Sequence, residues 1–168
     1  MKIRHFALAA ALALGAQGAA QAADFKVGQI EVEDLWVRAS APGQTNGAGY
    51  LEIDNDAKTP DRLLSVSSPA AERVELHEVV TEKGVAQMRE VAQGVPVPAD
   101  GEVKLRPGGY HVMFLKLKAP FAEGGKIPAT LRFEQAGEVQ VQFDVKPIAY
   151  HPAGDPTLAG HGGHNMKH

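Results

Sequence analysis

The chain reads as an all-β protein, on three observations. Short runs rich in Val, Ile, Leu and Phe recur between Gly, Pro and Asp/Asn breaks. Several of these runs alternate apolar and polar residues. No segment after residue 22 has a long helical period with caps. The clearest alternation sets Val139, Val141, Phe143 and Val145 against Gln140, Gln142, Asp144 and Lys146, as in a half-buried strand. Strands are expected near 30–38, 49–55, 61–67, 73–80, 85–91, 103–105, 111–118, 129–134 and 139–147. Short strands at this spacing, with no internal repeat, predict an antiparallel β-sandwich of Greek-key type or a Greek-key barrel.

The N-terminus carries a secretory leader. Lys2 and Arg4 form its charged region, and residues 6–14 are an apolar stretch too short to span a bilayer. Ala20-Gln21-Ala22 fits a small-x-small cleavage site, so residues 1–22 are expected to be removed and the mature chain to start at Ala23. No later apolar run reaches membrane-spanning length, which predicts no membrane span in the mature chain. The chain has no cysteine, so neither a lipidated cysteine nor a disulfide is expected. The domain over residues 23–150 must then rest on its own core, and it is long enough to form one.

Lys2 and Arg4 are two of the 17 basic residues and none of the 20 acidic ones lies in the leader, which leaves the mature chain at −5 with neutral His. That balance argues against nucleic acid as a partner, since phosphate binding needs a basic face. Residues 151–168 hold His151, His161, His164 and His168, with Gly and Pro and little to bury. Such a segment cannot offset its ordering entropy by burial and is expected to be a flexible tail.

Chemistry concentrates on histidine and methionine. Beyond the leader there are three methionines, Met88, Met113 and Met166, and each stands near histidines. Thioether and imidazole without thiolate suit Cu(I), because a soft metal prefers soft sulfur. His111-Val-Met113 lies on a candidate strand, where residues two apart face the same way. His111 and Met113 would share one face, with Val112 and Phe114 on the other. His77 and Met88 lie in a candidate hairpin, Val74-Glu-Leu-His-Glu-Val-Val and Val85-Ala-Gln-Met-Arg-Glu-Val. A two- or four-residue loop centred on Glu82 and Lys83 would place His77 directly opposite Met88, with Cβ atoms about 4.5–5.5 Å apart. A three-residue loop with Gly84 in a left-handed bulge would instead put them on opposite faces. Singly, each methionine is more readily a core filler. Two of three placed in His-paired strand positions favour a Cu(I) site of His77, Met88, His111 and Met113. In the tail, His151, His161, His164, Met166 and His168 could wrap Cu(II), with His161-Gly-Gly-His164 free to bend.

Other chemistry is thin. A blue-copper electron-transfer site needs a thiolate, and no Gly-x-Ser-x-Gly supports a nucleophile. Asp54 and Asp56 do not complete an EF-hand loop, and Gly108-Gly109 reads as a turn. Trp36 is expected to anchor the core. Arg38 and Arg73 are expected to be solvated or paired.

The arrangement resembles the periplasmic copper chaperones of the PCuAC type, whose motif is His, ten residues, Met, about 21 residues, then His-x-Met. Here ten residues separate His77 from Met88 and 22 separate Met88 from His111, and His111-Val-Met113 completes the pattern. Trp36-Val-Arg-Ala-Ser-Ala-Pro-Gly and Asn46-Gly-Ala-Gly-Tyr-Leu-Glu-Ile-Asp-Asn55 look like the family's early strands and loop. The likeness covers most of residues 30–147. The extra residue falls between Gln93 and Tyr110, and Glu78 stands where many members carry a second Met. The resemblance implies a cupredoxin-like β-sandwich, Cu(I) binding and delivery toward the CuA centre of cytochrome c oxidase. A Met-rich Cu(I) site disfavours Cu(II) turnover, so no enzymatic activity is expected. The acceptor would be oxidase subunit II or another assembly chaperone. The alternative is a periplasmic copper-sequestration protein with no dedicated acceptor.

Overall fold

The computed structural model describes residues 24–152, and among these every regular element is a strand. The leader and the tail from residue 153 onward lie outside the described residues. The strands are β1 (Phe25–Val27), β2 (Ile30–Arg38), β3 (Gly47–Asn55), β4 (Asp61–Ser67), β5 (Ala71–Glu82) and β6 (Val85–Glu90). They continue with β7 (Val95–Val97), β8 (Gly101–Leu105), β9 (His111–Leu117), β10 (Lys126–Phe133) and β11 (Glu138–Lys146). All nine expected strands are present. The two unforeseen ones, β1 and β7, are three residues long. Pro96 sits in β7, which borders the end of the sheet, where a missing N–H costs no ladder bond.

The strand order is β6-β5-β9-β3-β2-β11-β10-β4-β7, with β1 beside β2 and β8 beside β3. One edge of β3 is shared: Gly47, Ala48 and Gly49 pair with β9, whereas Leu51 to Asn55 pair with β8. The sheet forks there and curls over its own core. Phe114 of β9 meets Phe143 of β11 edge-on at 5.8 Å, although two strands stand between them in the order. Gly49 permits that closure, because a Cβ there would lie 2.9 Å from the Phe114 ring. One pairing departs from the antiparallel expectation. β11 runs parallel to β2, with Val145 beside Val37. No hairpin joins these two strands, so no tight turn dictates their relative direction.

Burial fixes which face of each strand looks inward. On β9, Val112 and Phe114 are fully buried in the main core. Burying such a side chain contributes about 1.5–3 kcal/mol. A one-residue slip would exchange both for His111 and Met113, so the strand's facing is strongly set. On β3, Gly47, Gly49, Leu51 and Ile53 face the core, which sends Ala48 and Tyr50 to the outer face. A bulge between Glu33 and Trp36 inserts an extra residue in β2, with Asp34 at φ 49°. It brings Trp36 opposite Tyr50. Trp36 is buried as expected, but in an aromatic layer on the outer face, outside the main core.

Candidate metal centre

β5 is paired on both sides, but by different parts of its length. Residues from Ala71 to His77 pair with β9, and those from His77 to Glu82 pair with β6. His77 belongs to both ladders, opposite His111 on one side and Glu90 on the other. The two imidazoles lie with ring centroids 5.8 Å apart. Met113 is two residues beyond His111 and pairs with Glu75, so it shares their face. Three of the four residues singled out in the sequence thus occupy one patch of adjoining strands.

Met88 joins them by a different route from the one expected. It pairs with Val79, not His77, so the directly opposed His77–Met88 pair does not form. The cause is the turn. Lys83 and Gly84, at φ 51° and 80°, make a two-residue hairpin loop one position later than the centre assumed. Positive φ at both loop positions is the type I′ pattern that matches strand twist. The register moves by two residues along β6. An even slip keeps the side-chain face, so Met88 stands diagonally from His77 on the same face. Such diagonals span roughly 7–8 Å, within reach of a long side chain. Met88 is 61% exposed, the most exposed of the four.

Each imidazole has one nitrogen already engaged. Nδ1 of His111 lies 3.1 Å from the Gly109 carbonyl, which can only accept, so Nδ1–H donates and Nε2 carries the free lone pair. The same carbonyl accepts the Val79 N–H at 3.2 Å, tying the turn before β9 to β5. Burial holds the His111 pKa below the ordinary imidazole value, keeping the ring neutral as a metal ligand requires. Nε2 of His77 lies 2.8 Å from Oε2 of Glu75. Arg73 Nε approaches the other oxygen of that carboxylate at 2.5 Å. The hydrogen bond from His77, assisted by Arg73, holds the Glu75 carboxyl below the usual carboxylate range. Nδ1 of His77 is buried and has no hydrogen-bond partner. An unsatisfied buried polar atom costs about 1–3 kcal/mol. A soft cation accepting that lone pair would remove the penalty, so the donor set fits Cu(I). Among the described residues no three His, Asp or Glu side chains group as a metal site.

Behind the imidazole pair an aromatic row crosses the sheet. Tyr50 lies 6.5 Å from His111, Trp36 lies 4.3 Å from Tyr50, and Tyr150 meets Trp36 edge-on at 5.0 Å. Arg38 lies 5.6 Å above the Trp36 ring and donates from Nε to the Tyr150 carbonyl, so it is paired, as is Arg73. His151 is exposed at the end of this segment. His161, His164, Met166 and His168 lie outside the described residues. The places of Glu75, the Gly109 carbonyl and Tyr50 beside the two imidazoles escaped the sequence reading. Glu75 had an available signal, since it stands two residues before His77 and so shares its face.

The chain is similar to known proteins in sequence and in fold. The profile of the family described as "Putative lipoprotein LpqE-like" matches residues 30–145. "Putative lipoprotein Lxx21020" of Leifsonia xyli subsp. xyli (strain CTCB07) is 35% identical over 120 residues, 71% of each chain. The copper-bound PCuAC domain from PmoF2 superposes with a TM-score of 0.63 at 30% identity, over 74% of this chain and 98% of that one. The solution structure of CuI-DR1885 from Deinococcus radiodurans gives 0.56 at 30%, over 78% and 85%. The fold is that of the cupredoxin-like PCuAC domains. The chain belongs to the LpqE-like family, which is of the PCuAC type.

Proposed function

We propose that this protein is a periplasmic copper chaperone that binds Cu(I) through His77, Met88, His111 and Met113. The observation that carries the reading is the facing pair His77 and His111, each with one nitrogen engaged and one left over, beside Met113. Two imidazoles and two thioethers favour Cu(I) over Cu(II), so the site holds its ion for transfer without redox turnover. Copper is cargo and the protein is not an enzyme. Met88, exposed on the edge strand β6, gives a partner access to the ion. The acceptor is the CuA centre of cytochrome c oxidase subunit II or another assembly chaperone, the route that the PCuAC resemblance implies.

Export follows from the leader at residues 1–22. Relatives in the family are described as lipoproteins. The 168 residues hold no cysteine to carry a lipid, and the leader directs the mature chain to the periplasm. No helix among the described residues is long and apolar enough to cross a membrane. His151, His161, His164, Met166 and His168 form a second site for Cu(II) in the tail.

Metal analysis of the anaerobically purified mature protein, with X-ray absorption to count sulfur ligands, tests the reading. The expected result is one Cu(I) with mixed nitrogen and sulfur ligation. A chain truncated after Tyr150 should keep that ion and lose one equivalent of Cu(II). Absence of sulfur in the Cu(I) shell overturns the strand site, and unchanged Cu(II) stoichiometry overturns the tail site.

A further inference from the structure

We infer that Glu75 is a positioning residue that makes His77 bind its metal through Nδ1, while His111 binds through Nε2. The inference rests on the Cu(I) reading above and deepens it to the level of ligating atoms. A carboxylate is an acceptor only, so the 2.8 Å contact with Glu75 places the proton of His77 on Nε2. The other nitrogen, Nδ1, is then a bare lone pair, and it is the buried, unpartnered atom of this ring. At His111 the order is reversed. The Gly109 carbonyl holds the proton on Nδ1 at 3.1 Å, which frees Nε2. The two histidines stand opposite each other on antiparallel strands, yet they present different nitrogens.

Glu75 is itself held. Arg73 engages Oε1, leaving Oε2 for the imidazole. Glu75 also pairs with Met113 across the ladder, so its backbone on β5 is held against β9, the strand that carries a proposed sulfur ligand. A carboxylate on the far nitrogen of a ligating histidine fixes the tautomer and ring orientation and raises ligand basicity. Among the described residues no other carboxylate or carbonyl hydrogen-bonds to the His77 ring nitrogens. Loss of Glu75 therefore leaves that ring free to change tautomer or turn over.

The test uses the mature protein labelled with 15N at histidine and loaded with Ag(I), a diamagnetic, spin-active stand-in for Cu(I). Nitrogen–silver coupling is read in long-range 15N spectra. The expected result is coupling at Nδ1 of His77 and at Nε2 of His111. Coupling at Nε2 of His77 overturns the inference and leaves the copper reading standing. Coupling at neither ring overturns both. Variants supply the second arm, each first shown by circular dichroism to keep its β spectrum. Glu75→Leu should weaken Cu(I) binding by about 10- to 100-fold in competition with a chromophoric chelator. Glu75→Gln keeps an oxygen acceptor for Nε2–H, so it should retain Nδ1 coupling and recover most of the affinity. If Glu75→Leu matches wild type in affinity and in coupled nitrogen, Glu75 positions nothing.

Discussion

His77 and His111 stand directly opposite each other across β5 and β9, with ring centroids 5.8 Å apart. This pairing joins two segments 34 positions apart in sequence. In the proposed site the imidazoles are then the fixed part and the thioethers the adjustable part.

Replacing both Met88 and Met113 with Leu should abolish tight Cu(I) binding. Leu and Met have similar volumes, so stability should change by less than about 1.5 kcal/mol. Met88 is largely exposed and Met113 half-buried, which keeps the packing cost small. Chelator competition reads the first effect and thermal denaturation the second. Undiminished Cu(I) affinity in the double variant would rule out thioether ligation.

Acid should destabilise the copper-free protein through His111. Burial holds its pKa below the unfolded value of about 6.5. Above that value the ring is neutral in both states and adds no pH dependence. Below it the unfolded chain takes up a proton that the folded chain refuses until its own lower pKa is reached. Stability is therefore full above about pH 6.5 and is lost as pH falls toward the folded value. Glu75 and Asp144, held low by hydrogen bonds from His77 and Lys126, act in a separate and more acidic window. Denaturation midpoints between about pH 8 and about pH 5 should fall less steeply in His111→Leu than in wild type. Parallel curves would show that His111 is not the source.

Trp36 is the only tryptophan, and it reaches the site through Tyr50. Cu(I) loading of the mature protein should quench its emission with a one-to-one end point. His111→Ala should remove that response while leaving the emission of the metal-free protein near wild type. Emission that stays flat on loading of the intact site would mean the aromatic row does not sense the metal.

Gly84→Val should loosen the β5–β6 arm without touching the core. Gly84 has φ 80°, a conformation that costs an L residue about 1–2 kcal/mol. Nothing else lies within 4 Å of a Cβ placed there, so the penalty is one of backbone conformation alone. Amide exchange should quicken along Val85–Glu90 while the global denaturation midpoint holds. Slow exchange retained through β6 would contradict this.

The parts of the site readable in sequence were those set by local periodicity. His111 and Met113 share a face because strands repeat every two residues, and Val112 and Phe114 hold that facing by burial. The His77–Met88 register depended on a turn whose left-handed first residue is a lysine, in place of the Asn or Asp that usually marks it. The apposition of β5 and β9 is a long-range pairing with no local signature. The direction in which Glu75 points its carboxylate is likewise a product of the assembled sheet. β1 and β7 are too short for alternation to register, and the middle residue of β7 is a proline, which strand interiors disfavour.

The Lys83–Gly84 turn has a consequence for how this arm can vary. Among the described residues β6 pairs only with β5, so its length is not tied to the core. Side chains nevertheless change side with every residue counted around the loop. An inserted pair of residues would slide Met88 along the arm and keep it facing the imidazoles. A single insertion or deletion would carry the thioether to the opposite side of the ribbon. What the hairpin preserves between His77 and Met88 is therefore parity, and the spacing is free to drift only in even steps.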